Sequence, residues 1–220
     1  HPQTPAVQIV QPVKTSSATR PQLVVPASPQ GLGMDSNTFR ARMVSKLASH
    51  GISDARVLNA MQATHRHSFV DTALANQAYE DTSLPIGWGQ TISKPNVVAR
   101  MLELLFEGKT GPLGRVLEIG TGSGYMAALV AKQAASVLSL EIDAGLAQQA
   151  RTNLQAAGIT NVEVRQADGS QGAPADGPFD VIFLSGSVPE VPQALLNQLK
   201  TGGRLLAVVG EDPVMRASVR

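Results

Sequence analysis

The chain has 220 residues, of which 43% are hydrophobic and only 4% aromatic, enough to bury one core built from Leu, Val, Ile and Ala. Its 18 Lys and Arg balance 17 Asp and Glu to a formal charge of +1, so no strong field draws it to nucleic acid or an anionic membrane. The absence of cysteine excludes a disulfide framework and thiolate metal sites, and none of the four His are spaced i, i+4 as zinc ligands. With no apolar run of 18 residues and no continuous apolar block near the start, the expectation is a soluble, cytoplasmic monomer without metal.

Residues 1–33 hold six of the fourteen prolines with Gln and Ser, and read as a flexible extension. Residues 34–107 read as a helical and loop region. A helix is predicted from Ser36, with Phe39, Met43 and Leu47 as its inner face and Gly51 as its stop. A second follows with Ser53 as cap, Val57, Leu58 and Met61 facing inward, and an end near Thr64. His65 to Gln90 shows no sustained period and reads as a long connection, His65 and His67 being surface or interhelix residues rather than ligands. A third helix is predicted to start at Ser93, with Val97, Val98, Met101, Leu102 and Leu105 buried.

Residues 108–220 alternate short apolar runs with amphipathic stretches, the pattern of a parallel sheet covered by helices. The predicted strands are Arg115–Ile119, Ser136–Glu141, Asn161–Arg165, Phe179–Leu184 and Arg204–Val209, with a further one near Val214 where the chain stops short. The predicted helices are Tyr125–Ala134, Asp143–Ala157 and Val191–Lys200, with Gly158 and Gly202-Gly203 as stops. The expected fold is a doubly wound, mostly parallel α/β sheet of Rossmann-like type with an N-terminal helical and loop subregion.

Glu118-Ile119-Gly120-Thr121-Gly122-Ser123-Gly124-Tyr125 closes the first strand in a glycine-rich turn that lets a ligand approach the backbone. The spacing is GxGxG, and Tyr125 stands where the dinucleotide fingerprint has its last Gly, which disfavours a pyrophosphate ligand and suits S-adenosylmethionine. A tight turn without ligand is the alternative. Glu141, 17 residues beyond Gly124 at the end of the second strand, can accept from ribose hydroxyls or be a solvated carboxylate. Asp168-Gly169 ends the third strand, where it offers either an acceptor for an adenine amino group or a turn.

Tyr79-Glu80-Asp81, Leu84-Pro85-Ile86-Gly87, Gly89-Gln90-Thr91-Ile92-Ser93 and Val116 to Tyr125 resemble the protein-L-isoaspartate O-methyltransferase family. The likeness continues through His65 to Val70, Pro178-Phe179-Asp180, Gln198-Leu199-Lys200 and Gly202 to Leu205, and it spans roughly Ser36 to Gly210. The resemblance implies methyl transfer from S-adenosyl-L-methionine, leaving S-adenosyl-L-homocysteine, to the α-carboxylate of isoaspartyl residues in damaged proteins and peptides. By the same resemblance Ser93 is the catalytic residue, its hydroxyl donating to that carboxylate beside a helix N-terminus; otherwise it is an N-cap. The implied cofactor site is Gln90, Thr91, Glu118, Gly120, Thr121, Gly122, Ser123, Gly124, Glu141, Ile142, Asp168 and Gly169. Trp88, the only tryptophan, either walls the peptide site or packs. Ser185-Gly186-Ser187-Val188 departs from the family's Thr-Ala-Ala type of turn, and the short C-terminus leaves out sheet that family members carry. Three other readings compete: a methyltransferase of another substrate, a non-catalytic cofactor-binding interaction protein, and a nicotinamide oxidoreductase.

Overall fold

The computed structural model describes residues 35–209 and 214–219, so the Pro-rich stretch 1–33 and Gly210 lie outside the described residues. Two helices, α1 (Asp35–Ser49) and α2 (Ala55–Ala63), open the fold, followed by 3-10 turns at Arg66–Phe69 and Thr72–Gln77. Met43 and Leu47 are buried in α1 as expected, but Phe39 is 46% exposed. The inner position goes instead to Arg40, whose Nε donates to the Gln62 carbonyl (2.6 Å) and Nη2 to Asn37 (2.5 Å). A buried guanidinium is tolerated when its donors are matched, and that match sets the helix's rotation. The cap of α2 is Asp54, not Ser53: its Oδ1 accepts from the Arg56 N–H at 2.8 Å, while the Ser53 N–H donates to Glu103 at 2.7 Å.

The segment read as a long connection, His65 to Gln90, contains β1 (Leu84–Gly87), which pairs antiparallel with β2 (Gln90–Ile92) at its end. After it comes α3 (Pro95–Phe106), which begins two residues later than expected. Its N-cap position is Lys94, whose side chain makes no cap bond, and Pro95 at the first helical position has no N–H to satisfy. The cap comes from afar: Asp81 accepts the Asn96 N–H at 3.0 Å. Val98, Met101, Leu102 and Leu105 are buried, and Val97 is half-buried.

The main sheet is built from β3 (Arg115–Ile119), β4 (Ser136–Glu141), β5 (Val162–Gln166), β6 (Phe179–Val188), β7 (Leu199–Val209) and β8 (Val214–Val219). Its order is β5-β4-β3-β6-β7-β8; the first five strands run parallel and β8 pairs antiparallel with β7. The connecting helices are α4 (Tyr125–Ala131), α5 (Ala144–Ala156) and α6 (Gln193–Leu196). The chain therefore reverses its winding between β3 and β6, the switch point where open α/β sheets bind ligands. Alternate strand residues feed two cores: Val116, Val181, Phe183 and Leu206 on the face of α3, α4 and α5, and Leu117, Ile182, Leu184, Leu205 and Ala207 on the face of α6. Each fully buried Val, Leu, Ile or Phe among them contributes roughly 1.5–3 kcal/mol.

The predicted helix over Val191–Lys200 is corrected to the four residues of α6. The Phe179 N–H donates to the Gln198 carbonyl at 2.8 Å, which draws Leu199 into β7 at once. Gly202-Gly203 is then a bulge inside β7, not a stop: the register jumps from Phe179–Leu199 to Val181–Arg204, and Gly202 takes φ +76°. A Cβ on Gly203 would stand 2.8 Å from the Lys200 carbonyl oxygen.

Candidate active site

The carboxyl tips of β3, β4 and β6, closed over by the hairpin and α3, surround a cavity of about 280 Å³. The glycine turn forms one wall, with Gly120, Thr121, Gly122 and Ser123 all lining it. Gly120, Gly122 and Gly124 have φ of +92°, +56° and +90°, a region L side chains avoid, so the turn needs glycine for its path. Asn153 on α5 braces it, its Nδ2 donating to the Ser123 carbonyl at 3.0 Å.

Glu141 ends β4 beside that turn, buried at 6% exposure. Its Oε2 accepts the Gly122 N–H (3.0 Å) and its Oε1 accepts the Asp143 N–H (3.1 Å), which ties the glycine turn to the start of α5. Each carboxylate oxygen has about two acceptor sites, so both retain capacity toward the cavity. Ile142, 70% exposed, continues that wall.

Gln90, Thr91 and Ser93 line the cavity from the hairpin side, together with Ile86 and Ile92. Ser93 is held by its backbone: the fully buried Arg66 donates through Nη1 to the Ser93 carbonyl at 2.9 Å, through Nε to Ala78 (2.6 Å) and through Nη2 to Thr82 (3.0 Å). Its guanidinium sits 5.6 Å over the Tyr125 ring, and burial pulls its pKa below the ordinary arginine value. Arg66 thus ties the start of α3 to the two ends of the loop before it. The first turn of α3 offers fewer free N–H groups than expected: Pro95 has none and Asp81 already takes that of Asn96, while Ser93 lines the cavity.

Beneath the turn lies Glu118, fully buried, bonded to Ser139 (2.5 Å) and Ser185 (3.3 Å), with Ser139 in turn 2.6 Å from the Thr121 hydroxyl. Desolvation pushes its pKa up to about 8, its serine partners oppose the rise, and the nearby Glu141 charge adds to it. Thr121 and Ser185 line the cavity while Glu118 supports them from behind. Ser185 is aimed there by a bulge in β6, where the register with β7 shifts between Phe183 and Ser187.

Three further sequence candidates stand outside the lining. Gly124 is buried against Leu154, and Asp168 is exposed and caps the 3-10 turn Gly169–Gln171 by accepting the Ser170 N–H at 3.0 Å. Gly169 lies against Ile119, where a Cβ would come within 2.7 Å. His65 is exposed; His67 is half-buried with Nδ1 2.7 Å from the Tyr79 hydroxyl. Sequence reasoning missed Arg66, Asp81 and Ser185. Arg66 and Asp81 act through partners 12 to 27 and 15 residues away, which no local spacing reveals. Among the described residues, no cluster of three His, Cys, Asp or Glu could hold a metal and no helix is long and apolar enough to cross a membrane.

The strand order and the glycine turn at the switch point define the class: a Rossmann-like fold of the kind used by S-adenosylmethionine-dependent methyltransferases. The protein-L-isoaspartate(D-aspartate) O-methyltransferase family profile matches residues 38–218, and the chain belongs to that family. A protein-L-isoaspartate O-methyltransferase of Methylibium petroleiphilum is 51% identical over 181 residues, covering 82% of this chain and 67% of the relative. A solved protein-L-isoaspartate O-methyltransferase superposes with TM-score 0.68 at 31% identity, over 77% of this chain and 55% of that one. A Plasmodium falciparum structure, described as a putative protein-L-isoaspartate O-methyltransferase in complex with S-adenosyl-L-homocysteine, superposes with TM-score 0.67 at 25% identity, over 81% and 87%. Further curated relatives are longer, the chain spanning 55–59% of their length.

Proposed function

We propose that this chain methylates the α-carboxylate of L-isoaspartyl residues in damaged proteins and peptides, using S-adenosyl-L-methionine. The observation that carries the reading is one cavity with Glu141 and the glycine turn on one wall and Ser93 on the other. When bound, the cofactor supplies an electrophilic methyl on a sulfonium. The residues fit it: Gly122 leaves the turn without a side chain, Glu141 keeps acceptor capacity for ribose hydroxyls, and Ile142 offers an apolar surface.

A substrate carboxyl with pKa near ~4 is ionised at neutral pH, so no general base is needed. The work left to the protein is orientation and exclusion of water. Ser93 is the donor placed to hold one carboxylate oxygen, and the buried Arg66 guanidinium behind it favours an anion there. Gln90 and Thr91 roof the cavity. In this reading Asp168 and Gly169 serve the adenine end from just outside the cavity, Gly124 shapes the turn and Glu118 braces it. The enzyme works as a cytoplasmic monomer on protein substrates; its +1 charge gives no reason to invoke nucleic acid.

Labelled methyl transfer to matched isoaspartyl and aspartyl peptides tests the proposal. Base-labile label is expected on the isoaspartyl peptide alone, with Ser93→Ala lowering kcat/KM by roughly a hundredfold, the loss typical of one donor to a reacting oxygen. Equal labelling of both peptides would exclude the repair reading.

A further inference from the structure

The hairpin that brings Gln90 and Thr91 to the cavity has only three paired positions, and its residues from Gly87 to Thr91 are exposed. A two-stranded ribbon of that size does not hold its shape alone. Its base is fixed by Arg66, which grips the carbonyls of Thr82 and Ser93 on either side, and Ile86 rests near Gly122. At the tip stands Trp88, the one non-glycine among the described residues with positive φ, at +50°. Such a backbone costs free energy and persists where the surroundings enforce it.

The two-residue loop Trp88-Gly89 sets that backbone, both φ being positive as in the primed turns of tight hairpins, and the indole it presents rests on Gly145. A Cβ at that position would lie 2.6 Å from Cε2 and 2.7 Å from Nε1 of the indole, so only glycine accommodates the ring. Gly145 is helical, in the first turn of α5, where its backbone does not require glycine and glycine weakens the helix. It lies four residues past Glu141, so the contact joins the hairpin to the wall that carries Glu141 and Ile142. Trp88 remains 47% exposed, which distinguishes it from an ordinary core tryptophan.

We propose that Trp88 seated on Gly145 is a latch that holds the hairpin over the cofactor cavity, making Trp88 a positioning residue that sets how long the cofactor is retained. The inference rests on the reading that S-adenosylmethionine occupies this cavity. Opening the latch changes cofactor capture and release; the methyl-transfer step, which depends on Ser93 and its Arg66 support, is left nearly as it was.

Trp88 is the only tryptophan, so its fluorescence reports the contact directly in the full chain. Trp88→Ala and Gly145→Ala are each expected to raise the S-adenosylmethionine KM and the stopped-flow release rate of S-adenosylhomocysteine by roughly tenfold, with kcat within about twofold, and Trp88→Phe to recover most of the loss. In ligand-free protein, acrylamide should quench Trp88 more strongly in Gly145→Ala than in wild type. Wild-type release rates in both alanine variants, or unchanged quenching in Gly145→Ala, would overturn the latch. Failure of the wild type to bind S-adenosylhomocysteine by calorimetry would instead overturn the cofactor reading and the retention role with it, and the quenching comparison, which needs no ligand, would then report only whether Trp88 rests on Gly145.

Discussion

Glu141 and Glu118 show how position divides the work of two carboxyls at neighbouring strand ends. Glu141 faces the cavity, and each of its oxygens is anchored by one backbone N–H. Glu141→Gln replaces one accepting oxygen with a donor and removes the charge. Hydrogen bonds to charged groups contribute about 1.5–3 kcal/mol, so calorimetry should show S-adenosylhomocysteine binding weakened by roughly ten- to a hundredfold. Glu118 carries its raised pKa in the folded state, so the folded chain holds a proton that the unfolded chain has released above its ordinary value of 4.5. Stability from this group is therefore complete below about pH 4.5 and is lost as pH rises towards about 8. Glu118→Gln, which cannot ionise, should flatten that part of the curve: across pH 5 to 8 the melting temperature of the wild type should fall relative to the variant's. A constant difference between the two would refute the assignment.

At the scale of elements, legibility follows the range of the interaction. The three strands β3, β4 and β5 and their glycine turn were readable because apolar runs and a turn signature are local in sequence; β3 and β4 match their expected limits, and β5 is displaced by one residue at each end. Where a distant partner decides, local signals mislead. Ser93 looks like a cap followed by Lys and Pro, yet the capping carboxylate is Asp81, fifteen residues before the Asn96 whose N–H it accepts. Gly202-Gly203 looks like a helix stop, yet pairing with β6 makes it a bulge. The hairpin was missed because three paired positions carry no alternation to detect. Asp81→Ala tests the long-range cap: loss of an N-cap typically costs ~1 kcal/mol, to be measured by denaturant unfolding. Because the helix that Asp81 caps follows directly on Ser93, the proposed substrate contact, the variant should raise the peptide KM more than it raises the cofactor KM.

At the scale of the molecule, the parallel sheet concentrates its chemistry at one edge. The strand tips that contribute to the cavity are those of β3 and β6, which form the switch, and of β4 beside β3, and the hairpin and α3 close the opening from the other side. The class of ligand was legible because the glycine turn and Glu141 sit at a spacing fixed by one strand-helix-strand unit. Asp168 was not resolvable in this way: its strand-end position was readable, but its orientation as an exposed cap depends on how the next turn folds. In the proposed function Glu141 and Ser93 address one bound cofactor and one substrate carboxylate from opposite walls. A crystal structure with S-adenosylhomocysteine and an isoaspartyl peptide tests it most directly. The ribose hydroxyls should lie within hydrogen-bond distance of Glu141 and a peptide α-carboxylate oxygen within that distance of the Ser93 hydroxyl; a nucleoside bound away from Glu141, or a carboxylate held by groups other than Ser93, would contradict it.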